Sequence, residues 1–185
     1  GENDYAAWKA DAEVMYSMFT KYGIRYFKLD GINISSKAAE KNVTAMLEEL
    51  VSKSFSRIKF NMDITAGKRF GYFVNKHLGQ LFVENRYTDK ATYYPHATLR
   101  NLWLLSKYIP SKRFQFEVPD NSINADCYAE DDFLAPINYD ADYIFASVMV
   151  SHPLMWMELS GLSGKTKEGL KKIISAYKKY RNDFG

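Results

Sequence analysis

The sequence predicts an α/β chain: a parallel sheet whose strands are joined by helical crossovers, built as part of a closed barrel. Three observations carry this expectation. Helix-like and strand-like apolar patterns alternate along the chain, giving one helix and then five strand–helix units with no break in composition. The turn after the first strand, Asp30-Gly31-Ile32-Asn33-Ile34-Ser35, holds one glycine, and no Walker loop occurs, so a nucleotide-binding open sheet is not supported. Polar residues recur at strand ends (Asp30, Asp63, Glu84, Glu117 and Glu158), and in a (β/α)8 barrel those ends share one mouth. A full barrel runs to roughly 250 residues. Five units in 185 residues are too few for eight strands, so the expectation is a barrel segment, one domain over residues 1–185, with an open sheet edge.

Each element has its own signal. Asn3 to Lys21 sets Trp8, Ala12, Met15, Phe19 and Tyr22 on one helical face, and Gly23 suits the residue that ends such a helix. Ile24 to Asp30 reads as a buried strand broken by Gly31. Ser35 or Ser36 can cap the next helix, whose stripe is Val43, Met46, Leu47, Leu50 and Val51. Arg57 to Ile64 is strand-like, Arg69 to Leu78 helix-like, and Gln80 to Glu84 strand-like again. Tyr94 to Tyr108 is a helix carrying Leu99, Leu102, Trp103 and Leu105. Arg113 to Val118 is a strand ended by Pro119, followed by a polar loop from Asp120 to about Ala135. Ile137 to Val150 is predicted helical, Pro153 to Leu159 a strand, and Thr166 to Asp183 a closing helix with the stripe Leu170, Ile173, Ile174, Tyr177, Tyr180 and Phe184.

Composition narrows the function classes. A net charge of +3 is too small to imply nucleic acid, and the Lys-rich run from Lys165 to Arg181 has the spacing of a solvated helix face. The single cysteine, Cys127, excludes an intrachain disulfide framework and a Cys-rich metal site. His77, His96 and His152 fall in separate elements without ligand spacing, so neither a metal nor another cofactor is expected. No apolar run reaches the length of a membrane span and no signal peptide is present; because the chain begins with Gly1, this says nothing about export. The 16% aromatic share suits either sugar stacking or a core of large residues.

Tyr26-Phe27-Lys28-Leu29-Asp30-Gly31 resembles the nucleophile strand of the melibiase-type α-galactosidases and related retaining α-glycosidases, which reads aromatic and then Lys-x-Asp. The rest of the chain follows in register. Ile64 to Arg69 sits where the family carries a Cys-x-x-Gly-Gly-Gly-Arg-like loop, Tyr93-Tyr94-Pro95 resembles its aromatic-Pro segment, and Leu154 to Arg181 resembles its last strand and helix. The resemblance implies a (β/α)8 TIM-barrel glycosidase, with this chain as strands four to eight and a glycoside or oligosaccharide as partner. It implies Asp30 as catalytic nucleophile and Lys28 as a residue that holds a sugar hydroxyl.

A retaining glycosidase needs two carboxyl groups about 5–5.5 Å apart. The family's acid/base follows the sixth barrel strand, here Phe82-Val83-Glu84-Asn85-Arg86-Tyr87-Thr88-Asp89. A Trp-x-Ser-Asp alignment puts Asn85 at the acid position, leaving adjacent Glu84 as a candidate; a Trp-Arg-x-x-x-Asp pattern favours Asp89. Glu84 is preferred because it lies at a strand end, where side-chain placement is rigid. Its alternative is a carboxylate paired with Arg86 or Arg69. Arg69, Arg86, Glu117 and Trp156 complete the candidate substrate-binding set. The family's cysteine and two of its glycines are missing from Ile64 to Arg69, which puts galactose itself in question. A non-catalytic sugar-binding relative is therefore the competing reading. Alone, this segment is expected to be poorly active and to self-associate through open sheet edges.

Overall fold

The computed structural model describes residues 5–32, 34, 36–65, 72 and 75–184. These form two compact units, residues 1–82 and 83–185.

Unit 1 opens with helix α1 (Tyr5–Tyr22), which buries Ala12, Met15 and Phe19. It ends as expected, with Gly23 at φ +71 and its N–H donating to Phe19 O at 3.0 Å. Strand β1 (Tyr26–Lys28) is three residues long. The sequence suggested a buried strand through Asp30; Tyr26 and Lys28 are instead exposed, because β1 lies at the end of the sheet order, where its pairing among the described strands is with β2. Helix α2 (Lys37–Lys53) is capped by Ser36, whose side chain accepts from Ala39 N–H at 3.1 Å, and it buries Val43, Met46, Leu47, Leu50 and Val51. Strands β2 (Lys59–Asp63) and β3 (Gly79–Phe82) continue a parallel set in which Tyr26 pairs with Lys59 and Phe60 with Gly79. Phe60, Met62, Leu81 and Phe82 are buried on these strands, and α1 and α2 pack against each other.

Two local devices position these strands. Phe55 and Ser56 take positive φ at the turn out of α2, and buried Ser54 ties helix to strand: its Oγ donates to Val51 O at 3.1 Å and accepts from Ile58 N–H at 3.0 Å. Gly79 sits at φ +153, where a Cβ would lie 2.0 Å from Phe60 O, so only glycine admits this approach of β3 to β2. Half of the helix expected over Arg69 to Leu78 falls outside the described residues; its described end, Lys76 to Leu78, is a turn.

Unit 2 contains α3 (Pro95–Ser106), β4 (Phe114–Pro119), α4 (Ala141–Ala146), β5 (His152–Trp156) and α5 (Gly164–Tyr180). Strand β4 is buried at every position and pairs in parallel with β5, Phe116 opposite Pro153 and Pro119 opposite Trp156. Pro153 is tolerated because β5 ends the sheet order and can spare an N–H. Pro119 closes β4 from within, as its last residue.

Several expectations are corrected here. The helix from Ile137 to Val150 shrinks to six residues: Pro136 to Asn138 form a 3-10 turn, and Ser147 closes the far end by donating to Ile144 O at 2.7 Å. On α3 only Pro95, Thr98 and Leu102 are buried, while Trp103 is 64% exposed with Lys107 Nζ 4.6 Å from its ring centroid. The closing helix buries only Leu170 fully; Ile173, Ile174 and Tyr177 are half-buried and Tyr180 is exposed.

Candidate functional site

A cleft of about 700 Å³ lies within unit 2. Its walls are the C-terminal ends of β4 and β5 and the segment after β3, where Thr88–Lys90 makes a 3-10 turn. Thr88 is buried and accepts from Asn124 Nδ2 at 2.9 Å, which joins this turn to the long loop after β4. Asn121 anchors the same loop, donating to Pro136 O at 3.2 Å and Tyr139 O at 2.5 Å. Asp89 lines the cleft beside Lys90, Asp120, Trp156 and Glu158. Trp156 is 48% exposed, enough to offer a ring face.

Two carboxylates in this cleft are each held by a turn of the same kind. Asp120 Oδ1 accepts from the Ser122 N–H at 2.9 Å and Oγ at 2.6 Å. Glu158 Oε1 accepts from the Ser160 N–H at 3.0 Å and Oγ at 2.6 Å, and these bonds hold its carboxyl below the usual range. At the end of β2, Asp63 Oδ1 takes the Thr65 N–H at 2.8 Å and Oγ1 at 2.7 Å. The recurring carboxylate-x-Ser/Thr spacing was present in the sequence and marks strand ends where a carboxylate is oriented by its own chain. Lys90, Asn124 and Glu158 were not placed in the candidate set; that spacing points to Glu158, and nothing local points to the other two.

Glu84 occupies a different environment. It is buried and accepts from Arg86 Nε and from Asn101 Nδ2, the latter at 2.8 Å. Arg86 is thereby directed to Glu84, and its Nη1 also reaches Thr92 O at 3.4 Å. Nearby Tyr93 is buried, and burial first and then the Glu84 charge push its phenol far above the ordinary value. Glu117 is buried on β4 and does not line the cleft.

In unit 1, Asp30 and Lys28 line a second cleft of about 320 Å³ with Trp8, Asp11 and Met15 of α1. Asp30 is exposed, past the end of β1, and its Oδ1 accepts from the Gly31 N–H at 2.8 Å. Gly31 has φ +67, the left-handed turn that ends the strand segment. Lys28 sends its Nζ over the Phe82 ring, 4.1 Å from the centroid, so its stem is held against β3 rather than free in solvent. Arg69 lies outside the described residues. Among the described residues no group of three or more His, Cys, Asp or Glu could hold a metal ion, and His77 is engaged with Glu48 at 2.7 Å.

No protein-family model matches the chain, and no curated protein matches it in sequence. Solved structures do match. The GH36 alpha-galactosidase AgaA of Geobacillus stearothermophilus, crystallised with raffinose, aligns with 97% of this chain at 13% identity and TM-score 0.71. The alpha-galactosidase of Lactobacillus brevis aligns with 99% at 14% identity and TM-score 0.71. AgaA with 1-deoxygalactonojirimycin aligns with 98% at 14% identity and TM-score 0.70. The chain spans about a quarter, 25%, of each of these proteins. At such identity the likeness shows the fold alone: this chain has the α-galactosidase-like fold of part of a (β/α)8 TIM barrel.

Proposed function

We propose that this chain supplies the nucleophile and the acid/base of a retaining α-glycosidase of α-galactosidase-like type. The carboxylate of Asp30 attacks the anomeric carbon while the acid protonates the departing glycosidic oxygen, giving a glycosyl-enzyme. The same group, now a base, takes a proton from water, which displaces Asp30 and regenerates both carboxyls. Asp89 suits the acid/base role better than Glu84. The observation that carries this reading is Asp89 in the large cleft at the strand ends, beside Trp156. Glu84, by contrast, already serves Arg86 and Asn101. Lys28, Arg69 and Trp156 are the substrate-binding residues in this reading; Arg86, engaged with Glu84, and Glu117, buried on β4, are left out of the sugar contacts. The domain is taken as one barrel portion over residues 1–185.

The test is turnover of an aryl α-galactoside by the intact protein. Asp30→Asn is expected to abolish it, and Asp30→Gly with added azide is expected to yield the β-glycosyl azide. A near wild-type rate in Asp30→Asn sinks the proposal. The 185-residue chain alone is expected to turn over slowly, since it spans a quarter of the structures it resembles.

A second reading has one observation in its favour, the sequestered Glu84. If Asp89 is not a working acid, the chain belongs to a sugar-binding protein without turnover. Calorimetric binding of α-galactosides with no hydrolysis over long incubation selects that reading.

A further inference from the structure

We propose that a hollow at the other end of the unit 2 strands, where β4 and β5 begin, binds a tetrahedral oxyanion of the phosphate class. The site is separate from the glycoside reading and does not depend on it. Lys112 lies in the 3-10 turn that leads into β4, and His152 is the first residue of β5. With Arg181 and Asn182, just past α5, and with Ser151 and Tyr177, they line a hollow of about 260 Å³.

The wall of this hollow carries cations and no carboxylate. Lys112 and Arg181 are exposed, and among the described residues neither is held in an ion pair. The charge opposing them is the C-terminal end of the α5 macrodipole, roughly half a unit against two. Half-buried His152 registers that excess: burial first, and then the Arg181 charge, hold its imidazole below the ordinary 6.5, against a smaller opposing bond to the Lys112 backbone. Tyr177, the remaining titratable group on the wall, turns its hydroxyl to Ser151 O at 3.5 Å. A dianion entering here offsets the Arg181 charge and favours a proton on His152, which adds a third cation. The donors also suit its shape. Arg181 offers a planar fork for two oxygens, Lys112 a point charge and Asn182 an amide N–H. At about 260 Å³ the hollow is smaller than the roughly 300–1000 Å³ of ordinary small-molecule sites, so it fits a phosphate with little attached and not a nucleotide.

The test titrates the protein with inorganic phosphate, and separately with chloride at matched ionic strength, following the imidazole signals of His77, His96 and His152 by NMR. Phosphate is expected to raise the His152 pKa with a saturating dependence, while His77 and His96 respond no more than they do to chloride. Three histidines that move together, or chloride acting as well as phosphate, would show bulk screening and overturn the proposal. Arg181→Gln and Lys112→Gln are each expected to weaken phosphate about tenfold by calorimetry, through loss of one charged donor. Arg181→Gln alone raises the His152 pKa by removing a like charge, so in that variant the quantity read is the further rise that phosphate causes, which should be lost at the same concentration. Wild-type affinity in both variants overturns the proposal. If either variant does not fold, the contrast between phosphate and chloride at His152 decides with the wild type alone. A parallel titration with glycerol phosphate separates the two sources of the anion. Equal affinity means that the free ion is the ligand, and tighter binding means a small phosphate monoester.

Discussion

At the scale of single residues, Glu84 and Asp89 separate by what surrounds them. Removing the charge of Glu84 leaves the Arg86 guanidinium, a third exposed, without its carboxylate partner. Glu84→Gln is therefore expected to lower stability by about 1–3 kcal/mol, whereas Asp89→Asn, at an exposed turn, is expected to change it by less than about 0.5 kcal/mol. In turnover assays of the intact protein the order inverts: Asp89→Asn is expected to remove most activity and Glu84→Gln to retain it in the folded fraction. Activity lost in both, with stability lost in neither, returns the acid/base role to Glu84. Tyr93 offers a test of opposite sign. Its hydroxyl is buried with no hydrogen-bond partner among the described residues. Tyr93→Phe removes a desolvated, unpaired group while keeping the ring, and is expected to raise the denaturation midpoint, by about 1 kcal/mol in stability. A fall of that size would show that the hydroxyl is satisfied by bound water.

His152 adds a pH dependence. Burial first, then the Arg181 charge, lowers its pKa below the ordinary 6.5, against a smaller opposing bond to the Lys112 backbone. The unfolded chain then binds the proton more readily than the folded one, so stability is full above the unfolded pKa and falls as pH drops from 6.5 through the folded value. Denaturant titrations across that window are expected to show the slope, and His152→Gln to flatten it.

At the scale of elements, what could be read from the sequence depended on whether local signals and burial agreed. Helix α2 was legible in full because Ser36 caps it and its five-residue stripe is the face that packs. Helix α4 was not, because apolar residues continue from Ile137 to Val150 while Pro136 and the Ser147 side chain break the backbone pattern at both ends. Strand β1 was placed correctly but its burial was not, since pairing on one side is a tertiary fact. Likewise the Lys28–Asp30 pair was legible as a motif, while the cleft around Asp89 was not: it depends on Asn124, 36 residues away, bonding Thr88. The β2–β3 pairing carries the sharpest element-level prediction. A Cβ at position 79 would meet Phe60 O at 2.0 Å, and Gly79 also holds a φ that other residues avoid. Gly79→Ala is expected to cost on the order of 3 kcal/mol and to speed hydrogen exchange at the Phe60 and Leu81 amides first. Exchange accelerated uniformly across both units would show instead that the pairing is not a local device.

For the molecule as a whole, the open flank of unit 1 is the feature with a measurable consequence. Strand β1 ends the sheet order, and Ile24 and Tyr26 are 41% and 44% exposed along it. Helix α1 carries a second apolar line beside its buried one: Val14, Met18 and Tyr22, at i, i+4 and i+8, all exposed. A strand at the end of the sheet order with apolar residues next to it can serve as a template for another strand, and only its three-residue length and Lys28 blunt this one, since no Pro or bulge interrupts Tyr26–Lys28. In a complete barrel such an edge is covered by the neighbouring strand–helix unit. In this chain alone the cover is expected to be a second copy, so sedimentation velocity should show association that grows with concentration. Ile24→Lys places a charge on that edge without touching the Tyr26 hydroxyl, which donates to Gln80 Oε1 at 3.2 Å, and is expected to return the chain to a monomer with unit 1 intact by circular dichroism. A wild-type chain that stays monomeric at every attainable concentration would mean that the edge is protected by its own twist and short length, and that neighbouring strands are not needed to keep it soluble.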